Sequence, residues 1–321
     1  MGAVHVRTPK NFVLEERLER YADAIETNPE AYVGDWRKAC APAGGKPFEH
    51  VYLDLGCGKG TYLIERAHRE PDTLFIGMDQ EPICIAYAAQ KICEQELSNA
   101  LVLPRGAASL PQLFAAGELD AITINFPTPQ PKAKYAKKRL VHVDHLMLYR
   151  PLFAANATVT LRTDSKPLRD YALGQFAAAG YDTLWVSDDV RRDHPEHPET
   201  EYECRTREMG AAVYGICATP GAQPSDEQLA AGRAQEQSLA CYLPDNLDEL
   251  TYVPLGMEEA VENFRNRARK GKKRLPQESQ GLLMVAASAN KRKEAPDTMT
   301  QSEGTKKIGA PARDRGSGLR Q

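Results

Sequence analysis

Short apolar runs of strand type alternate with helical patterns from Val51 to about Thr219, and this alternation constrains the fold more than any other feature of the chain. The predicted strands are residues 51–56, 73–79, 100–105, 120–126, 157–164, 182–188 and 212–219. Residues 82–97 and 165–180 space apolar side chains three and four apart, which predicts crossover helices, the second ending at Gly180. The pattern indicates an α/β fold: a doubly wound, seven-stranded parallel sheet with helices on both faces.

The alternation stops near residue 220, where Pro, Gly, Gln, Ser and charged residues dominate. We therefore predict a helical lead-in over residues 1–50, an α/β domain over 51–220 and a largely irregular C-terminal extension over 221–321. Within the extension, residues 257–274 favour a helix that runs into a basic cluster, Arg265–Arg274. That cluster suits either an auxiliary RNA-binding arm or a solubilising segment, and the last thirty or so residues are predicted to be disordered.

Composition excludes several classes of protein. The formal net charge of -3 on 321 residues does not by itself indicate a nucleic-acid partner, so any such partner must be inferred from local patches. Seven cysteines without Cys-x-x-Cys spacing indicate neither a disulfide framework nor a zinc site. The N-terminus has no signal-peptide pattern and no stretch has the length of a membrane span, so we expect a soluble, cytoplasmic protein without metal.

The first predicted strand runs into a glycine-rich turn, DLGCGKG, that precedes a helix. Its three glycines are Gly56, Gly58 and Gly60. Glycines there let the backbone approach a ligand closely, and Thr61 stands where a dinucleotide fingerprint has its third glycine, which favours S-adenosylmethionine (SAM) over NAD. Asp79 ends the next strand, where a carboxylate accepts hydrogen bonds from ribose hydroxyls. Asp54 would then face the cationic methionine end of SAM.

Residues 125–140, NFPTPQPKAKYAKKRL, resemble the signature N-F-P-D-P-W-P-K-x-R-H-x-K-R-R-L of the bacterial tRNA (guanine-N7)-methyltransferases. Residues 28–36, 162–181 and 200–203 resemble further segments of that family, so the resemblance spans roughly residues 5–219. It implies a Rossmann-like class I methyltransferase with SAM as cofactor, tRNA as partner and N7 of a variable-loop guanine as methyl acceptor. The oligomeric state stays open between monomer and homodimer.

The resemblance also implies roles for individual residues. The cofactor-binding set is Asp54, Gly56, Gly58, Gly60, Asp79 and Ala107. The acceptor-base set is Lys132, Asp164 and a loop of Thr200, Glu201, Tyr202 and Glu203. The RNA-phosphate contacts are Lys134, Lys137, Lys138 and Arg139. Thr128 and Asp164 are the catalytic candidates, because Thr128 occupies the position of the family's catalytic aspartate.

Two departures from the family pattern fall on the site. Thr128 replaces that aspartate and Gln130 replaces the following tryptophan, and losing one preorganised charged group costs about 3 kcal/mol, on the order of a hundredfold in rate. Residues 105–110, RGAASL, also lack the acid that the family carries near the adenine, which would weaken cofactor affinity by about 1 kcal/mol. An active enzyme is the first interpretation. The alternatives are a catalytically weakened paralogue that mainly binds RNA, and a SAM methyltransferase with another acceptor.

Overall fold

The computed structural model describes residues 10–40, 45–247 and 250–269. Its described residues form one sheet with the strand order β3-β2-β1-β4-β5-β7-β6. The strands are β1 (His50–Leu55), β2 (Thr73–Met78), β3 (Ala100–Leu103), β4 (Leu119–Asn125), β5 (Phe153–Thr163), β6 (Tyr181–Ser187) and β7 (Tyr214–Pro220). All the predicted strands are therefore confirmed, and the arrangement is Rossmann-like.

The predicted crossover helices are confirmed as the third and sixth helices of the described chain. The α-helices are α1 (Leu14–Arg20), α2 (Thr61–Arg69), α3 (Pro82–Glu94), α4 (Leu110–Leu113), α5 (Val143–Tyr149), α6 (Lys166–Ala178), α7 (Val190–Asp193), α8 (Glu201–Glu208), α9 (Asp226–Ala234) and α10 (Glu258–Arg269). Helix α6 begins after Ser165, whose hydroxyl accepts a hydrogen bond from the backbone N–H of Leu168 at 3.3 Å. It stops before Gly180, which has a φ of +69° and lies in the left-handed region that favours glycine.

The sheet is not wholly parallel, and the prediction of a parallel sheet was wrong for its last strand. Strand β7 lies between β5 and β6 and runs antiparallel to both, with Thr163 opposite Tyr214 and Val159 opposite Ala218. The reason lies in the connection from β6, because the short helices α7 and α8 stay at the carboxyl edge of the sheet. There Glu203 of α8 is ion-paired with Arg162 of β5. The chain therefore re-enters the sheet from its carboxyl edge and runs backward.

Each face of the sheet has its own apolar core. One core contains Leu63 of α2, Ile85 of α3 and Phe75 of β2. The other contains residues of α4, α5 and α6 together with Leu74 and Ile76 of β2. Successive β2 side chains thus point to opposite faces, as the pleat requires. The strand order reverses between β1 and β4, and at this switch point the carboxyl ends of an open α/β sheet form the ligand crevice.

The segments that flank the sheet pack onto it. In the lead-in, Trp36 is fully buried against Phe114, and its indole N–H donates to the carbonyl of Leu113 at 2.7 Å. In the extension, Leu239 and Met257 belong to the same core as α5 and α6. The division of the chain at residues 50 and 220 stays a prediction. Within the described ranges, no helix has the length and apolar character needed to cross a membrane.

The predicted helix over 257–274 is found as α10, whose described residues run from Glu258 to Arg269. The rest of the basic cluster lies outside the described residues. The segment predicted to be disordered, at the end of the chain, lies outside them as well.

Candidate active site

The glycine turn after β1 is open on one side and tightly packed on the other. Gly56, Gly58 and Gly60 have φ angles of +79°, +54° and +76°, which other residues adopt only with strain. A Cβ on Gly60 would lie 2.8 Å from the Cβ of Ala88 in α3, so close helix packing requires glycine there. At Gly58, no atom of the described residues lies within 4 Å of the position a Cβ would take. The turn therefore leaves space for a ligand at Gly58.

Asp79 anchors this turn from the end of β2. Its carboxylate accepts hydrogen bonds from the backbone N–H of Gly58 and from that of Glu81, each at 2.9 Å. Burial raises the pKa of Asp79, and these backbone donors act in the opposite direction. Since each carboxylate oxygen has two lone pairs, Asp79 keeps acceptor capacity for ribose hydroxyls while it fixes the turn.

Asp54 is a buried carboxylate beside the turn. One of its oxygens accepts hydrogen bonds from the Thr123 hydroxyl and the Asn125 amide, both at 3.0 Å. Burial raises the pKa of Asp54 to about 6, although those two donors act against the rise. None of the ion pairs formed by described residues includes Asp54. A carboxylate that is desolvated and held by neutral donors favours the arrival of a cationic ligand group.

Asp164 occupies the corresponding place at the end of β5. One of its carboxylate oxygens accepts hydrogen bonds from two phenols, Tyr202 at 2.8 Å and Tyr252 at 2.9 Å. Burial raises the pKa of Asp164, and the two hydroxyl donors lower it in part. Tyr202 lies on α8, whereas Tyr252 belongs to the C-terminal extension. The predicted acceptor-base carboxylate is therefore held by two separate elements.

A buried ion cluster joins the two halves of the site. Arg162 is hydrogen-bonded to Glu203, and both side chains are fully buried. Arg162 also donates to the Asn125 side-chain carbonyl at 3.4 Å, so a continuous chain of contacts runs from Asp54 to α8. Arg191 forms an ion pair with Glu203 at 2.7 Å that is not aligned as a hydrogen bond. Two guanidinium groups therefore share one carboxylate in the interior.

The stretch from Thr200 to Glu203 is not the loop that the sequence suggested. The Thr200 hydroxyl accepts a hydrogen bond from the backbone N–H of Glu203 at 3.0 Å, which makes Thr200 the N-cap of α8. Glu201 forms an ion pair with Lys91 of α3 at 2.7 Å. Glu203 points into the ion cluster, and only Tyr202 contacts Asp164. As placed here, Glu203 contacts a base only if its ion pairs break.

Backbone strain is concentrated in the run after β4. Phe126 and Gln130 have φ angles of +48° and +51°, in the left-handed region that non-glycine residues rarely occupy. Thr128 lies between them, exposed and flanked by Pro127 and Pro129. Such strain accumulates where surrounding structure fixes a functional segment. The position of the family aspartate is therefore held in a defined conformation although the acid itself is absent.

The basic residues of this run do not share one environment. Lys134, Lys137 and Lys138 are exposed, and the ammonium groups of Lys134 and Lys138 lie 5.0 and 5.1 Å from the centre of the Tyr135 ring. Lys132 forms an ion pair with Glu259 of α10 at 2.8 Å. Three lysines are thus free to approach a phosphate backbone, whereas Lys132 is engaged by the extension.

The structure contradicts the prediction that Arg139 contacts RNA phosphate. The structure buries it, and its guanidinium donates to the carbonyl of Gln130 at 2.8 Å and to that of Gln237 at 2.7 Å. It also lies 4.4 Å from the centre of the Tyr171 ring. Arg139 therefore connects the strained run to the extension and cannot reach a phosphate from this position.

Comparisons with known proteins show the family to which the chain belongs. A family model described as a putative methyltransferase matches residues 49–216. The tRNA (guanine-N(7)-)-methyltransferase of Streptococcus equi subsp. zooepidemicus is 30% identical over 216 residues, which is 67% of this chain and 100% of that protein. The chain belongs to the tRNA (guanine-N7)-methyltransferase family.

A second relative and one solved structure are also similar to this chain. The tRNA (guanine-N(7)-)-methyltransferase of Geobacillus thermodenitrificans is 31% identical over 201 residues, 62% of this chain and 91% of that protein. Among solved structures, an antibiotic-related methyltransferase aligns with a TM-score of 0.43 at 19% identity, over 66% of this chain and 95% of the other.

SAM is the cofactor of this methyltransferase family, and the residues present fit it. The open side of the turn at Gly58 accepts the close approach of a ligand, and Asp79 stands beside it with acceptor capacity for hydroxyls. Asp54 offers a buried carboxylate to a cationic group. Ala107 begins a 3-10 helix (Ala107–Ser109) after β3 and packs partly against the core, so it offers apolar contact without an acid. The individual cofactor contacts stay predictions.

Several residues of the site were missed by the sequence reasoning. Asn125 and Arg162 lie inside the quoted motifs, NFP and RTD, so their place in the sequence was a signal that went unused. Tyr252 has no such signal, since it lies beyond the matched residues 49–216. Among the described residues, no group of three or more His, Cys, Asp or Glu side chains has the geometry to hold a metal ion.

Proposed function

We propose that this protein transfers the methyl group of SAM to N7 of a guanine in tRNA, the guanine of the variable loop. One observation carries the proposal: the continuous set of contacts from Asp54 through Asn125 and Arg162 to Glu203, next to Tyr202 and its bond to Asp164. It lines up a carboxylate suited to the cofactor and a carboxylate suited to the acceptor base along one edge of the sheet.

The reaction needs positioning more than proton transfer. SAM, when bound, supplies an electrophilic methyl group on its sulfonium centre. Guanine N7 carries a free lone pair at neutral pH, so an in-line attack requires no base to remove a proton first. The role of the protein is then to hold the guanine ring in line, which can account for much of the rate enhancement of such a step.

Asp164 is the residue best placed to hold the ring. A carboxylate accepts hydrogen bonds from guanine N1–H and the N2 amino group, and it offsets the positive charge that develops on the methylated ring. Lys132 is assigned to the same base, and Lys134, Lys137 and Lys138 to the RNA backbone. The exposure of these three lysines supports the latter assignment.

The first test measures methyl transfer directly. Purified protein is incubated with isotopically labelled SAM and unmodified tRNA transcripts, and the RNA is digested to nucleosides. We expect labelled 7-methylguanosine from the wild type. Thr128→Asp restores the acid of the family motif, and we expect it to raise the rate by up to about a hundredfold. Thr128→Asn, which has a similar size and no charge, is the matched control.

The outcomes separate the proposed function from its alternatives. Absence of label in every RNA pool, with folded protein, contradicts the proposal. Label from Thr128→Asp alone indicates the catalytically weakened paralogue that mainly binds RNA, an alternative favoured by the uncharged, exposed Thr128. Label in RNA at a nucleoside other than 7-methylguanosine indicates a SAM methyltransferase with another acceptor.

A further inference from the structure

The C-terminal extension reaches the acceptor side of the site. Tyr252 donates a hydrogen bond to the same Asp164 oxygen that accepts from Tyr202, at 2.9 Å and 2.8 Å. The two phenols approach from different elements, one from the extension and one from α8. Tyr252 lies 88 positions beyond Asp164 and outside the residues that the family model matches. It therefore lies in the C-terminal extension, outside the matched residues.

The extension is firmly seated at this place. The backbone N–H of Leu239 donates to the carbonyl of Pro131 at 3.0 Å, and Arg139 donates to the carbonyl of Gln237 at 2.7 Å. Met257, directly before α10, and Val261, within α10, are buried in the core. Tyr252 therefore lies between residues of the extension that contact the rest of the fold.

We propose that Tyr252 is a positioning residue of the acceptor site, which orients the Asp164 carboxylate and keeps it ionised. The proposal rests on the proposed function, since it assigns the extension a part in holding the same guanine. A phenol that donates to a carboxylate stabilises the charged form relative to the neutral one. An ionised Asp164 accepts both guanine donors, whereas a protonated one loses acceptor capacity.

The charges around Asp164 support this role. Burial, with the nearby Asp164, raises the pKa of Tyr252 to about 12, so its hydroxyl stays protonated and able to donate at neutral pH. A cavity of about 430 Å³ lies between the extension and the domain and is bounded in part by Asp164. Besides Tyr252, its titratable lining groups are Lys166, Asp170, Tyr214, Tyr242 and Asp245. Burial opposes the charge on Asp164, and the two phenols counteract that effect.

The experiment substitutes three tyrosines in the full-length protein, two from the extension and one from α8. Tyr252→Phe removes the hydroxyl from Asp164, and Tyr202→Phe removes the other donor. Tyr242→Phe is the matched control, because Tyr242 lines the same cavity but donates to the carbonyl of Glu236 at 3.0 Å. Each variant is tested for kcat and KM with tRNA from about pH 5.5 to about pH 9, so that the acid limb of the profile is recorded. The pKa of Asp164 is measured in parallel by carbon-13 NMR.

We expect Tyr252→Phe to lower kcat/KM about tenfold at neutral pH and to move the acid limb of the profile to higher pH. Tyr202→Phe should behave in the same way, and Tyr242→Phe should stay within about twofold of the wild type. The NMR pKa of Asp164 should rise in the first two variants alone.

Three results would overturn the proposal. Equal losses in Tyr252→Phe and Tyr242→Phe with unmoved pH profiles would show a structural role. A higher kcat/KM in Tyr252→Phe would show that the extension competes with the acceptor. If the wild type does not methylate tRNA, the proposed function fails on its own account. The NMR measurement still tests the role of Tyr252, because an unchanged pKa of Asp164 in Tyr252→Phe would show that Tyr252 does not position that carboxylate.

Discussion

At the scale of single residues, Asp54 combines deep burial with a negative charge that no described lysine or arginine neutralises in an ion pair. Only 4% of its surface is exposed, and its partners are the neutral side chains of Thr123 and Asn125. Such a carboxylate is most stable when a cation binds beside it. We propose that this cation is at the methionine end of SAM.

The raised pKa of Asp54 predicts that cofactor binding depends on pH. Burial raises that pKa to about 6, so below pH 6 the carboxyl is protonated and no longer attracts a cation. We expect the affinity for SAM to fall about tenfold for each pH unit below 6 and to be constant above about pH 7. Isothermal titration calorimetry across this range measures the effect. Asp54→Asn should bind weakly and without this pH dependence, whereas a flat wild-type profile would contradict the prediction.

The sequence predicted residue positions better than residue environments. The glycine turn, Asp54 and Asp79 follow from local patterns, but those patterns did not indicate that Asp79 accepts a hydrogen bond from the backbone of Gly58. Arg139 lies in the same basic run as Lys138, yet it is buried, and the carbonyl groups that accept its hydrogen bonds belong to residues 130 and 237. A charge run does not reveal which of its members will meet distant carbonyl groups.

At the scale of elements, helix α8 connects the proposed cofactor and acceptor sides of the site. Its first turn sends Glu201 toward α3, Tyr202 toward Asp164 and Glu203 into the interior. Successive helical positions point about 100° apart, so one turn can serve three neighbours. The family resemblance assigned this stretch to the acceptor site as a loop, and the structure shows that it is the first turn of a helix instead.

The ion cluster under α8 predicts a large difference between two similar substitutions. Glu203→Gln keeps the side-chain size but leaves Arg162 and Arg191 without their shared carboxylate, so we expect the free energy of unfolding to fall by about 3 kcal/mol. Glu201→Gln removes an exposed ion pair in the same helix and should change it by less than about 1 kcal/mol. Urea denaturation measures both values. Similar losses in the two variants would contradict the assignment of Glu203 to the interior.

At the scale of the whole molecule, the extension and the sheet share one core. Met257 of the extension and Val143 of α5 belong to the same apolar cluster as the Trp36 side chain of the lead-in. No sequence pattern indicated this, because the extension lacks the alternation that reveals buried faces in the first two thirds of the chain. Its contacts with the domain are long-range pairings, on which local periodicity carries no information.

This shared core predicts that damage to the extension is felt throughout the fold. Met257→Ala should lower the free energy of unfolding by about 3 kcal/mol, since it removes a fully buried side chain. Tryptophan fluorescence reports the transition from Trp36 and Trp185, which both lie outside the extension. Met209→Ala, at an exposed methionine, is the control and should stay within about 0.5 kcal/mol. An unmoved fluorescence transition in Met257→Ala would show that the extension unfolds independently.

The insertion of β7 between β5 and β6 also fixes an order of assembly on the ribosome. Strands β1 to β4 and the glycine turn are complete once residue 125 has been made, so the cofactor side can begin to form while translation continues. Strand β6 pairs only with β7 among the described strands, and Asp164 meets Tyr252 much later still. The nascent chain therefore completes the strands beside the glycine turn well before Tyr252 is made, so premature termination in the extension would remove the second phenol from Asp164 and core residues such as Met257 from a sheet whose first four strands already exist.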